Sequence, residues 1–177
     1  GIGVSSLGHG HPAIASALRE QLDRHLHVMV YGEYAQEAQD RAANRLLEGL
    51  SPSGLDAVYF VNSGAEAIDG AMKLARRVTG RTEILGVEGG YHGSTFGALS
   101  LSTPSHRRNA FMPLLPDVSH IPFGSEAALE SITQRTAAVF VETIQGDAGV
   151  RSLSNAHLIA LRKRCSEVGA LLVLDEI

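Results

Sequence analysis

The sequence predicts an α/β fold, a mostly parallel sheet with helices on both faces, preceded by an N-terminal helical segment. Short apolar runs alternate with helical patterns throughout residues 51–177, and such alternation is typical of parallel strands joined by helices. The runs are almost continuously apolar, as expected for strands buried on both faces. Ligands of such sheets bind beyond the carboxyl ends of the strands, so the residues that follow each strand are the candidate site residues.

The predicted elements divide the chain at a turn, residues 51–54. Residues 1–50 are predicted to form two helices, at 13–26 and 33–50, the first opened by Pro12. The strands predicted after the turn are 57–61, 83–87, 119–122, 137–142 and 170–175. The helices predicted between them are 65–78, 94–101, 125–134 and 154–168. The change of pattern indicates a first segment, 1–50, and a sheet-containing domain, 51–177.

Composition argues against several functional classes. The 177 residues carry a net charge of −4, which disfavours a nucleic-acid partner, and no apolar run approaches the ~18 residues of a membrane span. Cys165 is the single cysteine, so an internal disulfide is impossible and a reducing, cytoplasmic location is expected. The chain lacks an initiator methionine and ends in an apolar strand, so we expect it to be a piece of a longer protein.

The segment Asn62-Ser63-Gly64-Ala65-Glu66 joins a predicted strand to a helix and has two interpretations. Glycine permits close approach of the backbone, and the unpaired N–H groups of a first helical turn attract a phosphate. The alternative is a capping box, in which Ser63 caps the helix and Glu66 reaches back. The spacing supports both about equally, and a capping Ser63 has less freedom to contact a phosphate.

Two predicted strands end in acids, Glu142 in one and Asp175 with Glu176 in the other. A carboxylate at the end of a buried strand is costly without a partner, and a metal, a sugar hydroxyl or a protonated heterocycle would each serve. The alternative, that the strand end reaches solvent, is favoured for either strand alone. Both strands are expected to end at the same edge of the sheet as Ser63 and Gly64, and this convergence favours a ligand-binding site there.

A glycine-rich loop, residues 88–93, follows the predicted strand at 83–87. An aromatic side chain on such a loop, here Tyr91, can stack on a flat ring. The alternative is a glycine turn with Tyr91 in the core. The neighbouring His92 fits either an acid–base group or a hydrogen-bonded filler.

The other histidines and the lysines do not indicate a site. His9 and His11 lie two residues apart with no cysteine or acid pair nearby, so no metal site is predicted. The only two lysines, Lys73 and Lys163, lie in helical stretches beside arginines. We expect both on solvated helix faces rather than as buried, reactive amines.

Five stretches together resemble the class III aminotransferases, enzymes that use pyridoxal 5′-phosphate (PLP) on the fold-type-I scaffold. They occur in the family's order and span nearly the whole chain. The stretches are GHGHP at 8–12, YFVNSGAEA at 59–67 with KLAR at 73–76, YHG at 91–93 with GALS at 97–100, ETIQGDAG at 142–149 and LVLDEI at 172–177. The resemblance implies that 51–177 is an incomplete PLP-binding large domain. It also implies that 1–50 contributes to the small domain and a dimer interface.

The resemblance assigns roles around the cofactor. It implies that the phosphate binds at residues 63–65 and that Tyr91 and Ile177 lie on opposite faces of the pyridine ring. It implies that Asp175 pairs with the protonated ring nitrogen, which keeps the ring an electron sink. The implied cofactor-binding residues are Ser63, Gly64, Ala65, Tyr91, His92, Asp175 and Ile177.

The resemblance also implies a reaction. Residues 111–116 and 120–123 are most similar to the acetylornithine and ornithine aminotransferases, which implies an ω-amino or N-acetyl-ornithine type donor and 2-oxoglutarate as acceptor. Glu142 is implied near cofactor and substrate as a candidate catalytic residue. Asp147 stands where relatives often carry a glutamate that pairs with a substrate-gating arginine, and it is one methylene shorter.

The lysine that forms a Schiff base with PLP is implied beyond Ile177. We therefore expect the 177-residue piece alone to be inactive and the full-length enzyme to be a homodimer. Two alternatives stay open. One is another class III reaction, such as that of an aminomutase, a racemase, a decarboxylase or a 4-aminobutyrate-type transaminase. The other, which the absent lysine supports, is a non-catalytic fragment that acts as an interaction module.

Overall fold

The computed structural model describes residues 3–29 and 32–177, which form two compact units, 1–59 and 60–177. The first unit contains helices α1 (Pro12–Arg24) and α2 (Glu37–Leu50), followed by a 3₁₀ turn at Ser51–Ser53. The Nδ1 atom of His11 accepts the Ala13 N–H and so caps α1, while Pro12 occupies the first helical position, where its missing N–H costs nothing. The two helices predicted for this segment are confirmed, with shifts at their ends.

The second unit contains a four-stranded parallel sheet, whose strands lie side by side in the order Val118–Ile121, Glu83–Val87, Thr136–Glu142 and Leu171–Asp175. Its helices are α3 (Gly64–Thr79), α4 (Phe96–Leu101), α5 (His106–Asn109) and α6 (Asn155–Val168). The sheet strands are β1 (Glu83–Val87), β2 (Val118–Ile121), β3 (Thr136–Glu142) and β6 (Leu171–Asp175). A separate antiparallel pair joins β4 (Ile144–Gln145) to β5 (Arg151–Ser152).

Alternate residues of the central strands pack on opposite faces of the sheet. Val139 and Val141 belong to the core cluster that contains the apolar side of α6. Ala138 and Phe140 belong to the cluster that contains α3 and α4. Strand β3 is buried at almost every position because helices cover both faces. The predicted α/β fold class is therefore confirmed.

Two predicted elements are wrong. Residues 57–61 are not a strand, because no described strand lies beside them to complete their backbone hydrogen bonds, and Tyr59 is 83% exposed. The predicted helix at 125–134 is only a 3₁₀ turn, Ala127–Ser131, after which Ile132 becomes extended. There Thr133 and Thr136 bond to nearby main-chain N–H groups, and such local bonds compete with helix formation.

The carboxyl ends of β1, β3 and β6 lie on one edge of the sheet because the three strands are parallel neighbours. The loops that follow them carry the candidate residues. The assignment of 1–50 to a small domain and 51–177 to a large domain stays a prediction. Within the described residues, no helix is both long and apolar enough to cross a membrane.

Candidate active site

The N-terminus of α3 is both capped and open to an anion. The Ser63 Oγ atom accepts the Glu66 N–H at 3.1 Å, and the Glu66 carboxylate reaches back to the Asn62 N–H at 2.7 Å. The first main-chain bond of the helix runs from Ala67 N–H to the Ser63 carbonyl, so the N–H groups of Gly64 and Ala65 have no acceptor within the helix. The capping alternative is therefore observed. It is compatible with the predicted phosphate contact, since the Ser63 hydroxyl accepts the Glu66 N–H and keeps its own hydrogen free to donate.

Two contacts join this helix end to the end of β6 and to the loop after β1, and a third contact joins those two segments to each other. A Cβ atom built on Gly64 would lie 2.8 Å from Ile177 Cδ1, so the isoleucine packs on the bare glycine backbone. A Cβ atom on Gly93 would lie 2.8 Å from Ala65 Cβ. The third contact, between His92 and Asp175, completes a closed arrangement of the α3 N-terminus, the loop after β1 and the end of β6.

Asp175 and Glu176 are neighbours with opposite environments. Asp175 is buried, and its Oδ1 atom accepts the Ile177 N–H at 3.0 Å while its Oδ2 atom lies 2.8 Å from His92 Nδ1. Glu176 is exposed and accepts the Thr143 hydroxyl at 2.8 Å. The expectation that a strand-end acid reaches solvent therefore holds for Glu176 and not for Asp175.

The His92 imidazole is completely buried. Its ring and the Phe140 ring pack in a T-shaped arrangement, with ring centroids 6.4 Å apart and an interplanar angle of 71°. Its main-chain N–H donates to Ser102 Oγ at 3.1 Å, and its Nε2 atom has no hydrogen-bond partner among the described residues. Of the two interpretations of His92, the hydrogen-bonded filler describes its position better than a solvent-linked acid–base group.

Tyr91 is at the surface rather than in the core. The residue is 53% exposed, and its hydroxyl lies 3.2 Å from Ser94 Oγ. Its main-chain N–H donates to Glu142 Oε1 at 2.8 Å. The core-plug alternative is therefore wrong, because about half of the residue is exposed.

Glu142 links two loops. Its Oε1 atom accepts the Tyr91 N–H and its Oε2 atom accepts the Gly146 N–H at 3.2 Å. Both oxygens therefore accept main-chain N–H groups, which ties the loop that contains Tyr91 to the segment that contains Gly146. A catalytic role for Glu142 stays a prediction.

Asp147 and Tyr91 line the same cavity, which has a volume of about 690 Å³. Phe96, Leu99 and Phe111 supply much of its apolar wall. Asp147 is exposed and forms no ion pair with any described residue. Its role as a substrate gate stays a prediction.

The structure shows loop-supporting residues that the sequence did not indicate. The Thr103 hydroxyl accepts the Gly89 N–H, and the Thr103 N–H donates to the Gly90 carbonyl. The Glu88 carbonyl accepts from Gln145 Nε2 at 3.0 Å and from Arg151 Nη2 at 2.9 Å. Such pairings between distant residues leave no local pattern, so no signal in the sequence could have identified them.

A cation also supports the cavity wall. The Arg108 guanidinium donates to the Ser102 carbonyl at 2.9 Å. Partial burial lowers the pKa of Arg108 from its ordinary value. Burial likewise lowers the pKa of His120, whose Nε2 atom lies 2.9 Å from the Leu101 carbonyl oxygen.

Comparison with known proteins defines the class to which this fold and site belong. The family model of the class III aminotransferases matches residues 1–177, and the chain therefore belongs to the class III aminotransferase family. The acetylornithine aminotransferase of Methanopyrus kandleri is 46% identical over 178 residues, which cover all of this chain and 45% of that protein. The acetylornithine aminotransferase of Streptomyces coelicolor is 42% identical over 178 residues, or 43% of its length.

A solved structure agrees with these relatives. The ornithine aminotransferase of Toxoplasma gondii matches with a TM-score of 0.86 and 31% sequence identity, over 98% of this chain and 42% of that one. The chain thus spans less than half the length of the relatives it matches. The resemblance to class III aminotransferases inferred from the five sequence stretches is confirmed.

Proposed function

We propose that the chain is the N-terminal and central part of a PLP-dependent transaminase. The proposed donor is of the ω-amino or N-acetyl-ornithine type, and the proposed acceptor is 2-oxoglutarate. The observation that carries the proposal is the convergence of three features: the open α3 N-terminus, the half-exposed Tyr91 and the buried Asp175. Relatives named acetylornithine and ornithine aminotransferases support the donor class.

The residues present fit PLP, which combines a phosphate, a flat ring and a basic ring nitrogen. The Ser63 hydroxyl and the free N–H groups of Gly64 and Ala65 suit the phosphate, since the positive end of the α3 dipole lies there. Tyr91 suits the ring. The buried carboxylate of Asp175 suits a protonated ring nitrogen, because an ionised carboxylate has about four acceptor sites and described groups occupy two.

When bound, PLP supplies an electron sink for the carbanion that forms when the amino donor loses a proton. The negative charge of Asp175 favours a positive ring nitrogen beside it. Glu142 holds the main chain of Tyr91 in place, which limits where the aromatic face can lie. Lys73 and Lys163 are exposed on α3 and α6, so we infer that the proton is moved by a lysine of the longer protein.

The proposal includes a homodimer in the cytoplasm, with residues 1–50 at its interface. Helix α1 supports an interface because Ile14, Leu18 and Leu22, spaced four residues apart, are all exposed on one side. The single cysteine, Cys165, is free and buried, which agrees with a reducing compartment.

The test is an assay of the full-length protein with PLP and 2-oxoglutarate. N-acetylornithine, ornithine and 4-aminobutyrate are supplied separately, and glutamate formation is measured. We expect PLP to bind, as seen by its absorbance, and N-acetylornithine or ornithine to be the best donor. The 177-residue chain alone is the matched control, in which we expect no transfer. PLP binding without transfer from any donor would favour another class III reaction, and absence of PLP binding would support a non-catalytic interaction module.

A further inference from the structure

The guanidinium of Arg151, on the short strand β5, bonds to two neutral acceptors. Its Nε atom donates to Gln145 Oε1 at 2.8 Å, and its Nη2 atom donates to the Glu88 carbonyl at 2.9 Å. Its Cζ atom also lies 4.0 Å from the centre of the Phe123 ring, a cation–π contact. Within the part of the chain that the structure describes, Arg151 belongs to no ion pair. Directed hydrogen bonds rather than an opposite charge therefore place this side chain.

Gln145 completes the network. It is fully buried, and both ends of its amide are bonded, since Nε2 donates to the Glu88 carbonyl at 3.0 Å while Oε1 accepts from Arg151. Gln145 and Arg151 face each other in the β4–β5 pair, so the Glu88 carbonyl receives one hydrogen from each of two paired residues. Loss of the guanidinium would leave the buried amide oxygen without its donor, which is costly.

The network joins two segments that line the cavity. Glu88 begins the glycine-rich loop, residues 88–93, which carries Tyr91. Strands β4 and β5 and the turn between them form a hairpin, residues 144–152, whose turn carries Asp147. Tyr91 and Asp147 both line the cavity of about 690 Å³. The separation of these two walls therefore depends on the bonds between the loop and the hairpin.

The loop lies too close to the network for a side chain at Gly89. The φ angle of Gly89 is +89°, in the left-handed region that favours glycine. A Cβ atom built there would collide with Arg151 Nη2 and would lie 2.5 Å from Gln145 Oε1. The loop backbone therefore packs directly against the guanidinium and the amide.

The turn of the hairpin has a costly backbone conformation. Val150, which directly precedes Arg151, is exposed and has a φ angle of +56°, which β-branched residues rarely adopt. Such strain persists only where the surroundings fix the conformation. Gln145 and Arg151 stand at the two ends of the turn, and their bonds to Glu88 hold both ends.

We propose that Arg151 is a positioning residue that sets the width of the cavity. It holds the hairpin, and with it Asp147, against the loop that carries Tyr91. The statement that an amino donor occupies this cavity rests on the proposed function, whereas the statement that Arg151 ties the hairpin to the loop does not.

The first experiment measures this tie by hydrogen exchange in the full-length protein without PLP. The Tyr91 and Gly146 amides are both bonded to Glu142, which joins the same two segments, so they exchange when loop and hairpin separate. Arg151→Met keeps an unbranched side chain and removes the donors. We expect at least one of these amides to exchange roughly threefold to tenfold faster, the scale of one net hydrogen bond. Unchanged exchange of both would overturn the proposal.

Two further variants are the controls. Arg76→Met removes a guanidinium that likewise bonds to two acceptors, the Thr82 and Pro116 carbonyls at 3.0 Å each, and none of these residues lines the cavity. We expect the two amides to be unaffected there, and an equal acceleration would overturn the proposal. Arg151→Lys keeps the charge without the planar fork of donors, so we expect it to restore only part of the slow exchange. Full restoration would show that charge alone holds the hairpin, contrary to the proposal.

The second experiment measures steady-state kinetics of the full-length protein loaded with PLP, using its best amino donor. A wider cavity loses contacts that the bound donor and its transition state share, which raises KM and leaves kcat unchanged. We expect the KM of Arg151→Met to rise roughly threefold to tenfold, on the same scale as the exchange, with kcat and PLP affinity unchanged. Lower kcat and PLP affinity with an unchanged KM would indicate a general loss of structure and would overturn the proposal.

The outcomes separate this inference from the proposed function. Arg151 is exposed, so we expect Arg151→Met to fold. If the unmodified protein binds no PLP or transfers no amino group, the proposed function fails, and the hydrogen-exchange result alone decides the inference. If the unmodified protein is active and Arg151→Met shows faster exchange with an unchanged KM, the tie does not set the width of the cavity and the inference fails.

Discussion

The ends of β3 and β6 carry acids that face each other in register, Glu142 opposite Asp175, yet their carboxylates are held in different ways. Glu142 is partly buried, and main-chain N–H groups of two loops occupy its two oxygens. Asp175 is buried, and one of its two partners is the side chain of a histidine.

This difference shows that two carboxylates at strand ends can have different roles, which depend on the groups bonded to each of them. A carboxylate bonded to main-chain N–H groups from two loops fixes the course of those loops. A carboxylate bonded to a buried imidazole lies away from water, where an electrostatic interaction is stronger than in water. We infer that Glu142 shapes the site and that Asp175 supplies its charge.

The largest expected effect is at Phe140, which packs against His92, the side-chain partner of Asp175. Phe140 is fully buried on β3, and its ring packs against that of His92 in a T-shaped arrangement. Phe140→Ala should lower the free energy of unfolding by about 3–5 kcal/mol, since a cavity adds to the lost burial. Urea denaturation of the full-length protein measures this. Phe140→Leu is the control, for which we expect a smaller loss; equal losses for both variants would contradict the cavity explanation.

The next effect tests the charge of Asp175. Asp175→Asn keeps the shape of the side chain and removes its charge, so we expect the rate of transamination to fall about a hundredfold or more, the scale of losing one preorganised electrostatic partner. Steady-state kinetics of the full-length protein with saturating PLP measure this. Asp175→Glu restores the charge at a longer reach and is the control. Unchanged rates for Asp175→Asn would assign the ring nitrogen to another group.

A smaller effect is expected at Glu142. Glutamine has one side-chain oxygen, so in Glu142→Gln only one of the Tyr91 and Gly146 N–H groups keeps its acceptor, and the other faces the amide NH₂ group. Leaving one donor without an acceptor costs about 1–3 kcal/mol of local stability. Hydrogen exchange of the Tyr91 and Gly146 amides in the full-length protein measures this, and at least one should exchange faster. Thr143→Ala, a change in the adjacent residue, is the control. Slow exchange of both amides in Glu142→Gln would show that the carboxylate does not hold the loops.

The sheet was predictable from the sequence only where the strands find partners. AVYFV at 57–61 and AAVFV at 137–141 are similar in composition. The second lies between β1 and β6 and pairs on both sides, whereas the first pairs with no described strand. Apolar composition indicates that a segment is suited to burial, and the presence of neighbouring strands decides whether a strand forms.

The site was predictable to a similar degree. The carboxyl ends of parallel strands meet on one edge of a sheet, so the convergence of Glu142, Asp175 and the residues after β1 follows from the order of elements. The partner of Asp175 does not follow from it. His92 is one of eight histidines and lies 83 residues away, and only the fold brings the two together.

The smallest effect is expected at Glu176, the direct neighbour of Asp175. Its carboxylate is exposed and accepts the Thr143 hydroxyl, a bond that water can replace, so Glu176→Gln should change the free energy of unfolding by no more than about 0.5 kcal/mol. The same urea series measures this, with Thr143→Ala as the matched change on the other side of the bond. Asp175 is buried and Glu176 is exposed. A loss of more than about 1 kcal/mol in the unfolding free energy of Glu176→Gln would therefore contradict the view that burial decides what each acid contributes.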